Sequence, residues 1–550
     1  MRTRQLTTHP RLRHGIGLLR AGLPLLPMAL IAILLFLWAY HPAMLDPTQL
    51  GWVLRGGDNG ENALGMHAFL HHADGPWHTP LLNAPEGVSL LFTDSNPLLG
   101  LLLWVVSPLL PGDAQYVGPW MLLCLFLHVF FSWKLLRPYA PAVIPLWAGV
   151  LLLTLLPSLF NRYVHVNLMA HWLILWALWL FVDARRAGKL LAWAAVMIVA
   201  VLIHSYLFVM VAAIWGSAML ERFFAAPDWR ERGRLLLGAA LILAASGGIG
   251  VMLGAGGDFM RPYGYGKFAM SLDGLWNPNF PGFSMFLPVT PPSGLRPYEG
   301  FQYLGVGLLI LAVVGLAAGL TAKPRAAEGD LWRRLLWLLP ALLVLTLIAL
   351  SNELEFAGVA VASVPLPAFL NPVTDALRAS GRLFWPCSYV LVFAAIVAVY
   401  RFRPLLSELM LAALVLVQLI DISGMMNSIR AYHYGEMRVP LNNFTRDPRW
   451  DTLIASSRDI SFDAPDVTRD LGRFQEIAWR AVNHGVPVRQ AYVARWSTAT
   501  MERYQRESTA FRAGERVPGR LYVMLNGTTA PIGADVEIVD AVVVVRPAKR

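Results

Sequence analysis

Long apolar runs separated by short basic clusters are the feature that most constrains this chain. From Gly22 to Ile420 one run follows another, punctuated by Lys134/Arg137, Arg185/Arg186/Lys189, Arg222/Arg230/Arg232/Arg234, Lys323/Arg325/Arg333/Arg334 and Arg401/Arg403. Of the 550 residues 56% are hydrophobic and 15% charged, against roughly 25% charged in soluble proteins. A single buried core cannot absorb that much apolar surface, so lipid must solvate most of it. Backbone in lipid must satisfy its own hydrogen bonds, which makes each run a helix.

The basic clusters set the path. Arg2, Arg4, Arg11, Arg13 and Arg20 precede the first span, Gly22–Tyr40, so the N-terminal segment 1–21 is read as cytoplasmic. The run is too long to be a cleaved leader and reads as an anchor. Residues 41–115 hold one basic residue, Arg55, and read as an outer loop. With every cluster inside, further spans run about Tyr116–Leu136, Val143–Leu159, Leu168–Val182, Leu235–Gly254, Tyr303–Leu320, Leu335–Leu350, Pro386–Tyr400 and Leu405–Ile420. Leu190–Leu220 has basic residues at both ends and reads as a hairpin with His204-Ser205-Tyr206 at its outer tip. The total is about eleven crossings of a bilayer. An odd number leaves the C-terminal part outside. Pro97–Leu110 lacks a basic end and is placed on the outer leaflet.

This division gives a transmembrane domain over 22–420, with outer loops 41–115, 255–302 and 351–385, and a polar domain over 421–550. In the latter, Asp459–Phe462, Val488–Val493, Arg520–Leu525 and Val536–Val545 read as strands. Asp470–Asn483, capped by Thr468, and Thr498–Glu507 read as helices, which together make a small α/β sandwich. Its arginines Arg473, Arg480, Arg489, Arg495, Arg503 and Arg506 alternate with acids and read as a solvated face. The net charge of +10 lies largely in loops between spans and implies no nucleic-acid partner. Cys124 and Cys387 stand far apart, and no nucleotide-binding or metalloprotease motif occurs.

Polar variety collects on the outer side. Asp58, in Arg55-Gly56-Gly57-Asp58-Asn59-Gly60-Glu61, follows the first span and offers a carboxylate just outside the membrane, as a general base or metal ligand. The same residues are also strong turn formers. Asp94, in Thr93-Asp94-Ser95-Asn96-Pro97, is a second carboxylate or the cap of the next helix. Arg378 and Arg382, in Arg378-Ala379-Ser380-Gly381-Arg382-Leu383-Phe384-Trp385-Pro386, suit a lipid phosphate or ordinary headgroup contact. Arg162, His165, His171 and His204 lie on the same side; a buried histidine with a polar partner is the plainer reading of each ring. His71 and His72 lack the second pair that a metal site needs. The aromatics of the 255–302 loop, Tyr263, Tyr265, Trp276 and Phe280 among them, fit an interfacial belt. Asp58, Asp94, His165 and Arg382 are expected to converge in one outward-facing cavity.

The order of these pieces over residues 20–220 resembles the GT-C superfamily of polytopic glycosyltransferases, which includes protein O-mannosyltransferases and lipid A aminoarabinose transferases. The early acid (Asp58, with Glu61), the outer helix Pro97-Leu98-Leu99-Gly100-Leu101-Leu102-Leu103-Trp104, the basic inner end at Lys134/Arg137 and the turn Asn161-Arg162-Tyr163-Val164-His165 carry the likeness. The whole chain also resembles a bacterial membrane-protein family with the same Gly-Asp-x-Gly, Asp-Ser-x-Pro, Ala-His-Trp, His-Ser/Ala-Tyr and Ser-Gly-Arg-x-x-Trp-Pro pieces, a family that lends no activity. The mannosyltransferase acidic pair is Asp-Glu, whereas Asn59 follows Asp58 here.

The GT-C likeness implies an inverting transferase in a bacterial inner membrane, with its C-terminal domain periplasmic. It would move a sugar from a polyprenyl-phosphate donor to an envelope glycan, lipid or protein. Asp58, with Asp94, is then catalytic. Arg382, Arg378, Arg162, His165, His204 and Glu61 bind substrate. The likeness leaves room for a divalent cation, Mg2+ or Mn2+, between Asp58 and the phosphate. The competing expectation is a non-catalytic transporter or assembly protein for envelope glycans. Repeated half-sequences with broken helices would mark a transporter, and none is seen.

Overall fold

The computed structural model describes residues 24–260, 264–463, 465–525 and 528–547; the basic segment 1–21 and Tyr263 lie outside them. Within the described residues, each apolar run expected to cross contains a helix. In chain order the main helices are α1 Leu25–Ala39, α2 Asp58–His71, α3 Pro97–Val106, α4 Val117–Leu136, α5 Val143–Thr154, α6 Trp172–Phe181 and α7 Leu190–Ile203. They continue as α8 Ser205–Ala225, α9 Trp229–Met252, α10 Val306–Thr321, α11 Leu339–Leu350, α12 Trp385–Val399, α13 Pro404–Asp421 and α14 Ser423–Glu436. Among the described residues five helical stretches are long and apolar enough to cross a membrane: Val117–Leu136, Ser205–Ala225, Trp229–Met252, Ser380–Val399 and Pro404–Asp421. The outward faces are apolar too. Leu236, Leu237 and Leu241 on α9, Val313 and Leu316 on α10, and Leu343, Val344 and Leu347 on α11 are exposed, as a lipid-facing surface requires.

The bundle has two unlike poles. At one, the basic loops meet each other. Arg334 pairs with Glu221 (2.7 Å) and donates to Phe181 O (2.7 Å), Arg325 donates to Tyr139 O (3.0 Å), and Arg401 pairs with Glu328 (2.7 Å). The ends of α4, α6, α8, α10 and α12 therefore lie together. At the other pole gather residues 155–170, His204, the described parts of one outer loop, 255–260 and 264–305, and the loop 351–384. Asp421, at the end of α13, holds the first of those loops through Ser284 Oγ (2.5 Å), Tyr303 OH (2.6 Å) and Val306 N (2.9 Å). His204 breaks α7 from α8 with extended backbone (φ −165°, ψ 133°), and its Nδ1 accepts from Tyr206 N. The two helices pack together as the expected hairpin.

The C-terminal domain holds a four-stranded sheet of β1 Asp459–Asp463, β2 Arg520–Met524, β3 Val536–Val539 and β4 Val542–Val545, in the order β1-β2-β4-β3. The β1–β2 pair is parallel and the others antiparallel. Helix α15, Leu471–Asn483, buries Phe474, Ile477, Ala478, Ala481 and Val482, a stripe at helical spacing. Helix α16 spans Thr498–Arg512.

Four details differ from expectation. Val536–Val545 is a hairpin, turned at Asp540 and Ala541 with φ of 47° and 61°, the signature of a tight two-residue turn. Asp470, not Thr468, caps α15 by accepting from Arg473 N. Val488–Val493 is not a strand: beyond one bridge to Ile460 its backbone leaves the sheet for the outer loops. The tail arginines do more than meet solvent: Arg503 is buried and pairs with Glu86 (2.8 Å), joining the domain to the 41–115 loop.

Candidate functional site

Asp58 is the first residue of α2. Gly56, at φ 82°, and the extended Gly57 turn the chain into the helix, and a carboxylate in the first turn is favoured by the helix dipole. The turn is clamped by the C-terminal domain. Gln475 accepts from Gly56 N (2.9 Å) and donates to Gly57 O (2.9 Å), and a Cβ at Gly56 would lie 3.0 Å from Gly472 N.

Asp94 sits at φ 51°, a left-handed conformation that aspartate tolerates. Its carbonyl accepts from Asn62 and Asn167. Asn96, not Asp94, caps α3 by accepting from Leu99 N (3.1 Å), which leaves the Asp94 carboxylate free to face the site.

His165 stands at the centre. Its Nε2 lies 3.3 Å from Asp58 Oδ2 and 3.1 Å from Glu299 Oε1, and its Nδ1 lies 3.8 Å from Asp94 Oδ2. His204 Nε2 reaches Asp94 Oδ1 at 3.7 Å. Below them Glu299 Oε2 takes both arginines, Arg162 Nη1 at 2.5 Å and Arg382 Nε at 2.6 Å. Arg162 also donates to Tyr298 O (2.8 Å). The Arg382 guanidinium lies 5.0 Å from the Tyr206 ring centre. Its terminal nitrogens have no hydrogen-bond partner among the described residues. The Ser380–Phe384 turn that carries Arg382 packs so closely that a Cβ at Gly381 would lie 2.7 Å from Gly300 Cα. Glycine is required there.

The electrostatics follow from this packing. Burial pulls the His165 imidazole down, but Glu299, Asp94 and Asp58 outweigh it and bring it up to about 9. Burial alone would raise Glu299 and Asp94. Arg162, Arg382 and His165 hold Glu299 well below the carboxylate range, and His165, His204 and Arg382 hold Asp94 below it. Burial takes His204 down to about 4. Glu61 behaves oppositely: burial first, then Asp94 and Asp58, raise it well above the carboxylate range. The cluster opens on one side. The side chains of Asp58, His165 and Asp94 keep 28, 23 and 20% exposure, while Glu299 and Arg382 keep 9 and 10%. The arrangement is a cleft with acids at its mouth and a guanidinium floor.

Asp58, Asp94, His165, His204, Arg162 and Arg382 are thus brought together, with Glu61 just behind. Arg378 is not; it lies exposed against the Phe268 ring (5.5 Å). His171 has the polar partner its burial demands, Tyr389 OH at 2.8 Å. His71 and His72 are exposed, and among the described residues no group of three or more His, Cys, Asp or Glu side chains is placed so as to hold a metal ion. A divalent cation between the acids would have to displace the His165 ring, which already serves them as counter-charge.

Two residues of the site escape sequence reasoning. Glu299 is one acid in an aromatic loop, and its partners lie 137 and 83 residues away. Tyr492, from the C-terminal domain, donates to Asp58 Oδ1 at 3.1 Å; its segment reads as an ordinary strand.

An apolar helical bundle with an ionic cleft at one pole, covered by a docked sheet domain, is the class this geometry defines. The family described as a domain of unknown function (DUF6311) matches residues 29–423, and the DUF6311 C-terminal domain matches residues 449–547. The chain belongs to the DUF6311 family. No curated protein and no solved structure matches it.

Proposed function

We propose that this protein is a multi-pass membrane glycosyltransferase of inverting, GT-C-like type. In this reading eleven helices cross the bilayer, and the cleft faces the periplasm. The convergence of Asp58, His165 and Asp94 over the Arg162–Glu299–Arg382 floor carries the proposal. Asp58 accepts the proton of an acceptor hydroxyl as that oxygen attacks the anomeric carbon of a polyprenyl-phosphate sugar. The bond from that carbon to the phosphate oxygen breaks with inversion. The departing phosphate is held by the open guanidinium nitrogens of Arg382, with Arg162 and the His165 cation nearby, by charge-assisted hydrogen bonds. Glu299 keeps the guanidinium groups in place and partly neutralised until an anion arrives.

Asp58→Asn tests this. The amide keeps the shape but takes no proton, so transfer should fall on the order of 10²–10⁴-fold with protein level and membrane insertion unchanged. The readout is the envelope glycan of cells that depend on the protein. Glu61→Gln should be mild, since burial already disfavours a charge there. Normal glycan from Asp58→Asn would reduce Asp58 to a turn former and favour a transporter or assembly role.

A further inference from the structure

Residues 488–497 form a strap from the C-terminal domain across the outer loops. Val488 N donates to Leu81 O (2.8 Å) and Ala84 N to Val488 O (2.9 Å). Ala494 N donates to Phe92 O (2.8 Å) and Met260 N to Trp496 O (3.0 Å). Arg495 adds a bond to Asp375 O (3.1 Å). Three loops far apart in sequence are held by one segment. Midway along it Tyr492 reaches Asp58. Burial, then the Asp58 charge, push the Tyr492 phenol up, which keeps it a neutral donor. Beside it a cavity of about 10 Å³, lined by Glu61, Thr93, Gln475 and Tyr492 among others, has room for about one water. Glu61 Oε1, buried there, has no partner among the described residues.

We infer that Tyr492 is a positioning residue for Asp58 and that the C-terminal domain completes the site instead of acting as a separate binding module. The inference rests on Asp58 being the base. The clamped Gly56–Gly57 turn fixes the backbone that leads into Asp58, and the carboxylate itself is held by its side-chain partners. Tyr492 supports Oδ1 and His165 meets Oδ2. A carboxylate has about four acceptor positions, so room remains for an acceptor hydroxyl from the cleft. The strap is tied on both sides of Tyr492. Its hydroxyl therefore stays in place when substrate enters, and it exchanges no proton.

The test uses the full chain as wild type, Tyr492→Phe, Asp58→Asn and the double variant. Loss of the hydroxyl should lower glycan transfer by up to about 10²-fold, the scale of a misplaced catalytic group. Binding of added polyprenyl phosphate by the purified protein should persist. The losses in Tm in detergent should be non-additive, the double variant being no worse than the poorer single one. Additive losses would show that the two side chains do not act together and overturn the inference. Full transfer by Tyr492→Phe, with Asp58→Asn inactive, would overturn it while sparing the base. Loss of polyprenyl-phosphate binding by Tyr492→Phe would make the residue a structural support of the donor site and also overturn it. Normal transfer by Asp58→Asn removes the base itself, and the positioning role with it.

Discussion

At the residue scale the cleft is a balance of three carboxylates, Asp58, Asp94 and Glu299, and two guanidinium groups, Arg162 and Arg382, around the His165 imidazole. His165 carries the clearest consequence. Its neighbours raise it from 6.5 to about 9, so the folded protein holds a proton that the unfolded chain gives up near 6.5. The stabilisation is therefore complete below about 6.5, shrinks above it, and is lost as pH rises through about 9. His204, brought down to about 4, is neutral in the fold; its unfolded ring sheds a proton around 6.5, so it opposes the decline slightly near pH 7 and not at all above about pH 8. Tm of the purified chain should decline between pH 7 and 9.5, and His165→Gln should flatten that decline. An equal slope in both proteins would show that His165 carries no buried charge. Asp58, Asp94, His165 and Arg382 were legible from the sequence because each opens or closes an apolar run on the same side. Glu299 was not, because its role comes from partners that only the fold supplies.

Elements explain why the cleft exists at all. Helices α5 and α7 stop early, at Thr154 and Ile203, and α6 begins only at Trp172; the irregular backbone at these ends carries Arg162, His165, His171 and His204. Non-helical backbone near a membrane is tolerated where it lines a polar cavity. Apolar periodicity reveals the helices and says little about where they unwind. The strap shows the same limit: Val488–Val493 has strand-like residues, but its backbone partners are loops of the other domain, which composition cannot name. Docking also rests on α2 and α15. The His67 ring stacks on Trp479 with centroids 3.6 Å apart, and its Nε2 lies 2.7 Å from Asn483 Oδ1. Burial, reinforced by His71, takes His67 down to about 3. The unfolded ring takes a proton near 6.5 and the docked ring does not, so docking is fully stable above about 6.5 and weakens as pH falls toward 3. Burial would raise Asp113, but its hydrogen bonds from Trp479 and Asn483 hold it below the carboxylate range, so it stays charged between pH 7 and 5. Hydrogen exchange of α15, corrected for intrinsic rates, should therefore quicken between pH 7 and 5, and His67→Phe should remove the change. Exchange independent of pH in the wild type would dismiss this contact as a docking element.

For the whole molecule the question is orientation, and the two poles bear on it. Charged loops that are distant in sequence meet at one pole: Arg334 with Glu221, Arg401 with Glu328, Arg325 with Tyr139 O. The cleft and the C-terminal domain occupy the other. From α4 to α13 each successive helix runs from one pole to the other, which is the alternation that multi-pass insertion produces. Short helices do not contradict this. An α5 of 12 residues covers only about 18 Å at 1.5 Å per residue, but Pro157–Phe160 carries its path on toward the cleft. In the proposed orientation the excess of Lys and Arg would put the charged pole in the cytoplasm, and the cleft and residues 449–547 would then face the periplasm. A reporter fused after Gly188, beside Arg185 and Arg186, should behave as cytoplasmic, and one fused after Arg550 as periplasmic. Because every site residue is tied to the pole that bears the C-terminal domain, the two fusions test the cleft as well as the path. The reverse pair of results would put Asp58 and Arg382 on the cytoplasmic face and require a donor presented there. Two reporters on the same side would break the eleven-span path itself.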